Sequence, residues 1–370
     1  MKYAALLALA VLDAAGYGML APVLPEIGER TGTGPGVAGA LVACFALGQL
    51  IGYPLAGLSA ARWGAAPVLV GSLVLLLAGD AGFVLGGGLG AWFPARGVQG
   101  LGAAGLWIGV TFAILELWPG TAYQRLTGVL AAYAVGSIFG PAIGAVEGIR
   151  APFLLHGLVT LVAFLPLLAL RAPHARARLG TDRSVLRSRA FVVSAAGIVL
   201  ISLAIGTIDG PLPLHLAAEL EQPEIAALYV LTAILVAVGS AAAGRMRPAT
   251  ALWVAALVIP VGIGVVGVTE SIPPWAVGMS VAGAGFGIGE AGALGFLLAT
   301  VDRERIVTAW VIWSQLWAIG YLVGPAVAGL VAEAWGYAVL GAVPLAGSLL
   351  VAYALRRGAG AVAATSNGAP

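Results

Sequence analysis

The sequence predicts an all-α membrane protein of twelve transmembrane helices built as two similar six-helix halves, and three observations carry that prediction. The first is composition. Apolar residues make up 61% of the 370-residue chain, charged residues only 9%, and the mean hydropathy is +1.02, whereas a water-soluble domain carries about 25% charged residues. The second is length. A bilayer-crossing helix needs roughly 20 apolar residues, so twelve crossings take about 240 and leave about ten for each connection and tail. No separate soluble domain is expected. The third is an internal duplication. Gly136-Ser-Ile-Phe-Gly140-Pro141-Ala-Ile-Gly144 is followed 184 residues on by Gly320-Tyr-Leu-Val-Gly324-Pro325-Ala-Val-Ala-Gly329, and Ala61-Arg62 is echoed 183 residues on by Gly244-Arg245.

The apolar runs of the first half cover residues 3–25, 37–60, 67–88, 91–116, 123–146 and 151–171. Those of the second cover 190–213, 222–244, 249–269, 273–299, 306–331 and 337–355. Residues 3–25 follow only Lys2 and lack a small-residue cleavage site, which reads as an uncleaved first span. The fifth and eleventh spans carry the duplicated motif. Its proline forfeits a backbone hydrogen bond and kinks the helix, and its glycines admit a neighbouring helix to backbone contact. The domain reading is a bundle over 1–171, a linker over 172–189, a bundle over 190–357 and a disordered tail over 358–370.

Orientation follows from the basic residues, which accumulate in short cytoplasmic loops. With the amino terminus inside, the inner segments hold fifteen of the eighteen Lys and Arg residues; Arg30 and Arg150 fall outside and Arg96 lies within a span. An even number of crossings with both termini cytoplasmic is expected, in a cell inner (plasma) membrane. The segment Arg171 to Arg189 is the longest connection and reads as a solvated linker.

Cys44 is the single cysteine and lies in an apolar run, so disulfides and Cys-based metal sites are excluded. His156, His174 and His215 are too scattered to suggest a metal. Gly283-Ala-Gly285-Phe-Gly287-Ile-Gly289 imitates a nucleotide-binding loop, but inside an apolar span with no preceding strand it reads as helix packing. No Walker-type lysine loop is present to use ATP. The expectation is no cofactor, no metal and no nucleic acid, with the lipid bilayer as surroundings and a monomer as the assembly.

Several motifs give the chain a resemblance to a known family. Asp13-Ala-Ala-Gly16-Tyr-Gly18-Met-Leu-Ala-Pro22-Val-Leu-Pro25, Arg96-Gly-Val-Gln99-Gly100 and Gly136 to Gly144 stand in the first, fourth and fifth spans. Together they resemble the major facilitator superfamily, and within it the twelve-span drug:proton antiporters that include tetracycline exporters. The resemblance implies two pseudo-symmetric six-helix bundles around a central cavity lined by spans 1, 4, 7 and 10. It marks Gly136, Gly140, Pro141, Gly144 and their repeats Gly320, Gly324 and Pro325 as the conformational, antiporter-type motif. One departure stands out: the family's loop between spans 2 and 3, Gly-x-x-x-Asp-Arg-x-Gly-Arg-Arg, is here Gly57-Leu-Ser-Ala-Ala61-Arg62-Trp63-Gly64-Ala65-Ala66. The ion pairs that latch the family's cytoplasmic side are missing, which implies a looser gate or packing by Trp63.

Physical chemistry reaches a compatible reading. An ionisable side chain at bilayer depth is costly, and the few that occur are functional candidates. The candidates are Asp13, Asp80, Arg96, Asp209 and Glu290. At 1.5 Å per residue Asp13 lies about 15 Å and Glu290 about 14 Å from the inner ends of their spans, so the two carboxyls share a depth. In the family's arrangement they would face each other between the halves. Asp80 and Arg96 stand in adjacent antiparallel spans and are expected to pair; Arg96 reaching Asp13 is the alternative. Asp13 and Glu290 are the better proton carriers, with Asp80 and Arg96 completing the proton-coupling set. Asp209, ahead of Pro211 and Pro213, reads as a helix-terminus residue.

For cargo, Trp310, Trp313, Trp317 and Tyr321 recur on one helical face of span 11, a wall suited to a planar or cationic substrate. The alternative is that the stripe packs against lipid or a neighbouring helix. Gln99 and Gln315 add polar groups that could orient a ligand. The expected function is secondary active export of a small hydrophobic or cationic compound in exchange for protons by alternating access. A facilitator or proton symporter for a small metabolite such as a sugar is second. A polytopic membrane enzyme is disfavoured, since no nucleophile and base or metal cluster stands at a membrane edge.

Overall fold

The computed structural model describes residues 2–167, 184–300 and 306–357, and among them every regular element is helical. In chain order these are α1 (Lys2–Gly18), a 3-10 turn (Ala21–Val23), α2 (Leu24–Thr31), α3 (Pro35–Trp63), α4 (Ala65–Leu85), α5 (Leu89–Leu117), α6 (Ala122–Gly144) and α7 (Arg150–Leu167). A second 3-10 turn (Ser184–Arg187) precedes α8 (Arg189–Asp209), α9 (Leu212–Leu216), α10 (Gln222–Ala243), α11 (Pro248–Val268), α12 (Ile272–Thr300), α13 (Ile306–Trp335), a third 3-10 turn (Tyr337–Val339) and α14 (Ala342–Arg357). Among the described residues eleven stretches are long and apolar enough to cross a bilayer, α1 through α2 forming one of them, and α7 is a further apolar helix. These elements meet the twelve predicted runs.

The first stretch runs longer than predicted for a reason the prolines supply. Pro22 and Pro25, read as its end, sit instead in the opening turns of the 3-10 segment and α2, where a missing N–H has no helical partner to lose. The predicted linker is described only from residue 184 onward, and the predicted tail 358–370 lies outside the described residues. Ser188 caps α8, its hydroxyl accepting from the Phe191 N–H at 3.1 Å.

Backbone contacts group the chain into two compact units. The first comprises Met1–Thr33, Cys44–Leu179 and Leu220–Val230; the second comprises Gly34–Ala43, Gly180–Glu219 and Leu231–Pro370. The opening turns of α3 therefore group with the second unit and those of α10 with the first.

Within the first unit the glycine motif of α6 lies against α1. A Cβ added at Gly140 would stand 2.7 Å from the Ala15 carbonyl oxygen and 3.0 Å from the Gly18 Cα, and one at Gly144 would stand 2.5 Å from the Met19 carbonyl oxygen. Neither helix can carry a side chain there, so their backbones touch. The second unit repeats the arrangement on α13 and α8: a Cβ at Gly320 would stand 2.8 Å from the Val199 carbonyl oxygen, and one at Gly324 would stand 2.9 Å from the Leu203 Cα. Pro325 closes on Gly206 as Pro141 closes on Gly18. The duplicated sequence thus forms the same contact twice.

The glycines that imitate a nucleotide loop pack on two sides of α12. Cβ atoms at Gly283 and Gly287 would strike Thr232 and Val236 of α10, while those at Gly285 and Gly289 would strike Ile259 and Ala255 of α11. Glycine every second residue lets one helix be approached closely from two directions. Gly64, at φ 82°, is the single residue between α3 and α4; a left-handed backbone there favours glycine over any side chain. Next to it the Arg62 guanidinium lies 5.5 Å from the Trp63 ring centroid, and that ring is 51% exposed, so Trp63 is not a buried packing element of this joint.

Candidate functional site

The first unit holds a connected set of buried polar groups. It begins with a broken helix. α1 stops at Gly18, leaving the carbonyls of Gly16 and Tyr17 without intrahelical donors. In the bilayer such groups must be satisfied by protein. Arg96 of α5, fully buried, does so: Nη1 donates to Gly16 O at 3.4 Å and Nη2 to Tyr17 O at 3.2 Å. A cation at a helix carboxyl end also meets the negative end of the helix dipole. The guanidinium carbon lies 4.3 Å from the Phe45 ring centroid, a cation–π contact that partly replaces lost water.

From Arg96 the network passes to α4 and α7. Nη1 also donates to Gln99 Oε1 at 3.0 Å, and Gln99 Nε2 donates to Asp80 Oδ1 at 2.8 Å. The other Asp80 oxygen, Oδ2, meets His156 Nδ1 at 2.8 Å. His156 Nε2 then faces the Leu12 carbonyl oxygen of α1 at 3.3 Å. Asp80, Gln99, Arg96 and His156 are all buried. The structure thus joins Arg96 to Asp80 by way of Gln99 and sets a histidine directly on the carboxylate. His156 carries a readable signal, an ionisable residue inside an apolar run, but the three scattered histidines suggest no metal and its pairing with Asp80 leaves no mark in the sequence.

Asp13 stands apart from this chain of bonds. It is buried on α1, one residue after Leu12, and its Oδ1 has no hydrogen-bond partner among the described residues. Its electrostatic neighbours are His156 and Tyr53. Gln49 of α3 is also buried with Oε1 unbonded among the described residues. Neither Gln49 nor Tyr53 carried a sequence signal, since a single amide or phenol in an apolar run has no pattern around it.

The second unit is arranged differently. Glu290 is half-buried on α12 and forms no hydrogen bond or ion pair among the described residues. The aromatic stripe of α13 splits in two. Trp310 and Trp313 are buried and stacked at 5.8 Å with 29° between their planes, and Trp313 Nε1 donates to Ser194 Oγ of α8 at 3.1 Å. Ser194 in turn donates to the Ala293 carbonyl oxygen at 2.7 Å. Tyr321, also buried, donates to Asp209 Oδ2 at 3.0 Å, fixing that acid at the last residue of α8. Gln315 and Trp317 remain half-buried. Packing therefore takes one part of the stripe and leaves the other partly open. Among the described residues no group of His, Cys, Asp and Glu is arranged to hold a metal ion.

Comparison with known proteins agrees with this architecture. Residues 6–310 match the Major Facilitator Superfamily. Multidrug resistance protein 1 of Bacillus subtilis is 32% identical over 163 residues, which is 43% of this chain and 42% of that protein. Quinolone resistance protein NorA of Staphylococcus aureus is 30% identical over 154 residues, 40% of each. The matches thus span less than half the length of these relatives. Among solved structures, the nucleoside transporter NupG superposes with a TM-score of 0.77 at 12% identity, covering 96% of this chain and 99% of that one. The D-xylose-proton symporter superposes with a TM-score of 0.72 at 15% identity, covering 94% and 95%. The chain therefore belongs to the Major Facilitator Superfamily, membrane transporters that move small molecules.

Proposed function

We propose that this transporter exports small hydrophobic or cationic compounds in exchange for protons, by alternating access. The observation that carries the reading is Asp13, a carboxyl buried in the first span with an unbonded oxygen and a histidine within electrostatic reach. A carboxyl so placed can accept a proton from one side, release it to the other, and attract a cationic cargo between those events. Names of the relatives, multidrug and quinolone resistance proteins, support export of drug-like compounds. A bound proton or cargo shifts the conformational equilibrium only by its differential affinity for the two states.

Glu290 is proposed as a second proton carrier, and the Arg96–Gln99–Asp80 set as the frame around the first. Gln99, Trp310 and Trp313 are held by protein partners, so cargo contact is assigned chiefly to Gln315 and Trp317, with the stacked pair behind them. The glycine contacts at Gly136, Gly140 with Pro141, Gly144, Gly320 and Gly324 with Pro325 are the surfaces along which helices shift. Both termini are placed in the cytoplasm, where fifteen of eighteen basic residues would then lie, and the transporter acts as a monomer. The test is Asp13→Asn in everted membrane vesicles, with ethidium as probe. The expected result is loss of pH-gradient-driven movement while downhill exchange persists. Undiminished gradient-driven transport removes Asp13 from coupling, and transport indifferent to the gradient in the parent protein identifies a facilitator instead.

A further inference from the structure

Proton exchange through Asp13 gives the Asp80–His156 pair no task of its own, although the pair lies beside it. Both nitrogens of the His156 ring face acceptors: Asp80 Oδ2 from α4 at 2.8 Å and the Leu12 carbonyl oxygen from α1 at 3.3 Å. Opposite an ionised Asp80, a neutral imidazole, with one N–H and one lone pair, can satisfy only one of the two; an imidazolium donates to both. A backbone carbonyl cannot reverse its role, and the ring is buried beyond the reach of bulk water as a substitute partner.

The ring is also seated tightly. A Cβ added at Gly16 would stand 2.7 Å from His156 Nε2 and 2.8 Å from Cε1, so that edge of the imidazole rests on α1 where the helix has no side chain. The titratable and charged groups around it are Asp80 from α4, Asp13 from α1, Arg96 from α5 acting through Gln99, and Tyr53 from α3 beyond Asp13. With Asp13 ionised, two carboxylates balance one guanidinium and one imidazolium. With Asp13 protonated, the buried cluster holds one positive charge in excess, and the proton on the ring is the one that can leave.

We infer that His156 is a proton-linked positioning residue: its doubly protonated ring ties Asp80 to the carbonyl of Leu12, and loss of one proton releases α1 at the residue preceding Asp13. The inference rests on the reading of Asp13 as a proton carrier. Through this link the proton occupancy of the site sets the position of the helix that bears Asp13. The one bond that changes is a ring N–H: its proton passes to water, giving hydronium, when the site opens and returns when it reloads.

The test has two arms. In the first, full-length protein labelled with 15N-histidine is placed in lipid nanodiscs at pH 7, and the His156 signals are assigned by comparison with His174→Asn and His215→Asn. Two protonated ring nitrogens are expected, with one N–H lost in Asp80→Asn. A bare nitrogen on His156 in the parent protein overturns the inference. In the second, pH-gradient-driven ethidium transport is followed in proteoliposomes between about pH 6 and 8.5, the range in which an imidazole titrates. His156→Gln keeps a donor for Leu12 without a titrating proton and is expected to flatten the pH profile. Gly16→Ala removes no ionisable group but pushes the ring off α1, and it should give the same flattened profile. A parental profile in either variant refutes the link. Two protonated nitrogens together with unimpaired transport in Asp13→Asn would instead refute the exchange reading and leave the His156 geometry standing.

Discussion

Replacing Gly140 by alanine tests the backbone contact on which the fold of the first unit depends. The added Cβ would stand 2.7 Å from the Ala15 carbonyl oxygen and 3.0 Å from the Gly18 Cα, where ordinary contact begins at 3.4 Å. Helices α1 and α6 must therefore separate by about 0.7 Å, since neither obstacle is a side chain that can swing away. Overpacking of this kind costs typically about 1–3 kcal/mol, and a gap of about 0.5–1 Å forfeits a quarter to a half of the dispersion energy of the atoms that part. Gly71 provides the matched control: it lies mid-helix in α4, exposed, with nothing within 4 Å of an added Cβ. Alanine there is expected to be neutral or to stabilise by about 0.5–1 kcal/mol through reduced chain entropy. The assay is thermal unfolding of both purified variants in one detergent at one heating rate, because such transitions depend on scan rate. Gly140→Ala should unfold at a clearly lower temperature than the parent and Gly71→Ala at an equal or higher one. Coincident unfolding temperatures for the two variants would refute the close-packing argument.

Two further outcomes follow from the second unit. Tyr321→Phe removes the donor that meets Asp209 Oδ2 at 3.0 Å and should destabilise the protein by about 1–3 kcal/mol, as for a lost hydrogen bond to a buried acid; unfolding indistinguishable from the parent would show the bond to be idle. Trp317→Ala should weaken ethidium binding by about two- to thirty-fold, the range of a cation–π contact of about 0.5–2 kcal/mol, measured by fluorescence titration. An unchanged binding constant would move the cargo site elsewhere.

What the sequence made legible was the repeat, and what it hid was the company each polar residue keeps. Gly136, Gly140 and Gly144 announce backbone contact by spacing alone, and the structure supplies α1 as the partner, with the Val11 carbonyl opposite Gly136 and the Ala15 carbonyl and Gly18 opposite Gly140. The aromatic stripe of α13 was legible as a face but not as a fate. Helical spacing places Trp313 and Trp317 on one side, and only the position of Ser194 on α8 decides that Trp313 is bonded inside while Trp317 stays partly open. Arg96 is legible as a buried cation, and its charge points to the buried acids. Two of its partners are backbone carbonyls, left open because α1 breaks after Gly18, and a helix end leaves no charged letter in a sequence.

The two units share a scaffold and differ in chemistry, and that asymmetry bears on how exchange could work. The contact of α6 with α1 and that of α13 with α8 are built from the same duplicated glycines. In the first unit the end of α1 meets Arg96, and Leu12 within the same helix meets His156, which leads to Asp80. In the second, the end of α8 carries Asp209 held by Tyr321, and Trp313 of the stacked pair is tied to Ser194. Duplication fixes where helices may touch, since a glycine contact tolerates no side chain. It leaves the polar positions free to diverge. A transporter of this construction can keep the linked acid–base chain in one unit and aromatic recognition in the other, with Glu290 as the second unit's own carboxyl under the proposed reading. On that account Asp13→Asn and Trp317→Ala should fail differently, the first losing response to the pH gradient whatever its affinity for cargo, and the second losing affinity while still responding to the gradient. If both variants lost both properties together, the division of labour would be wrong.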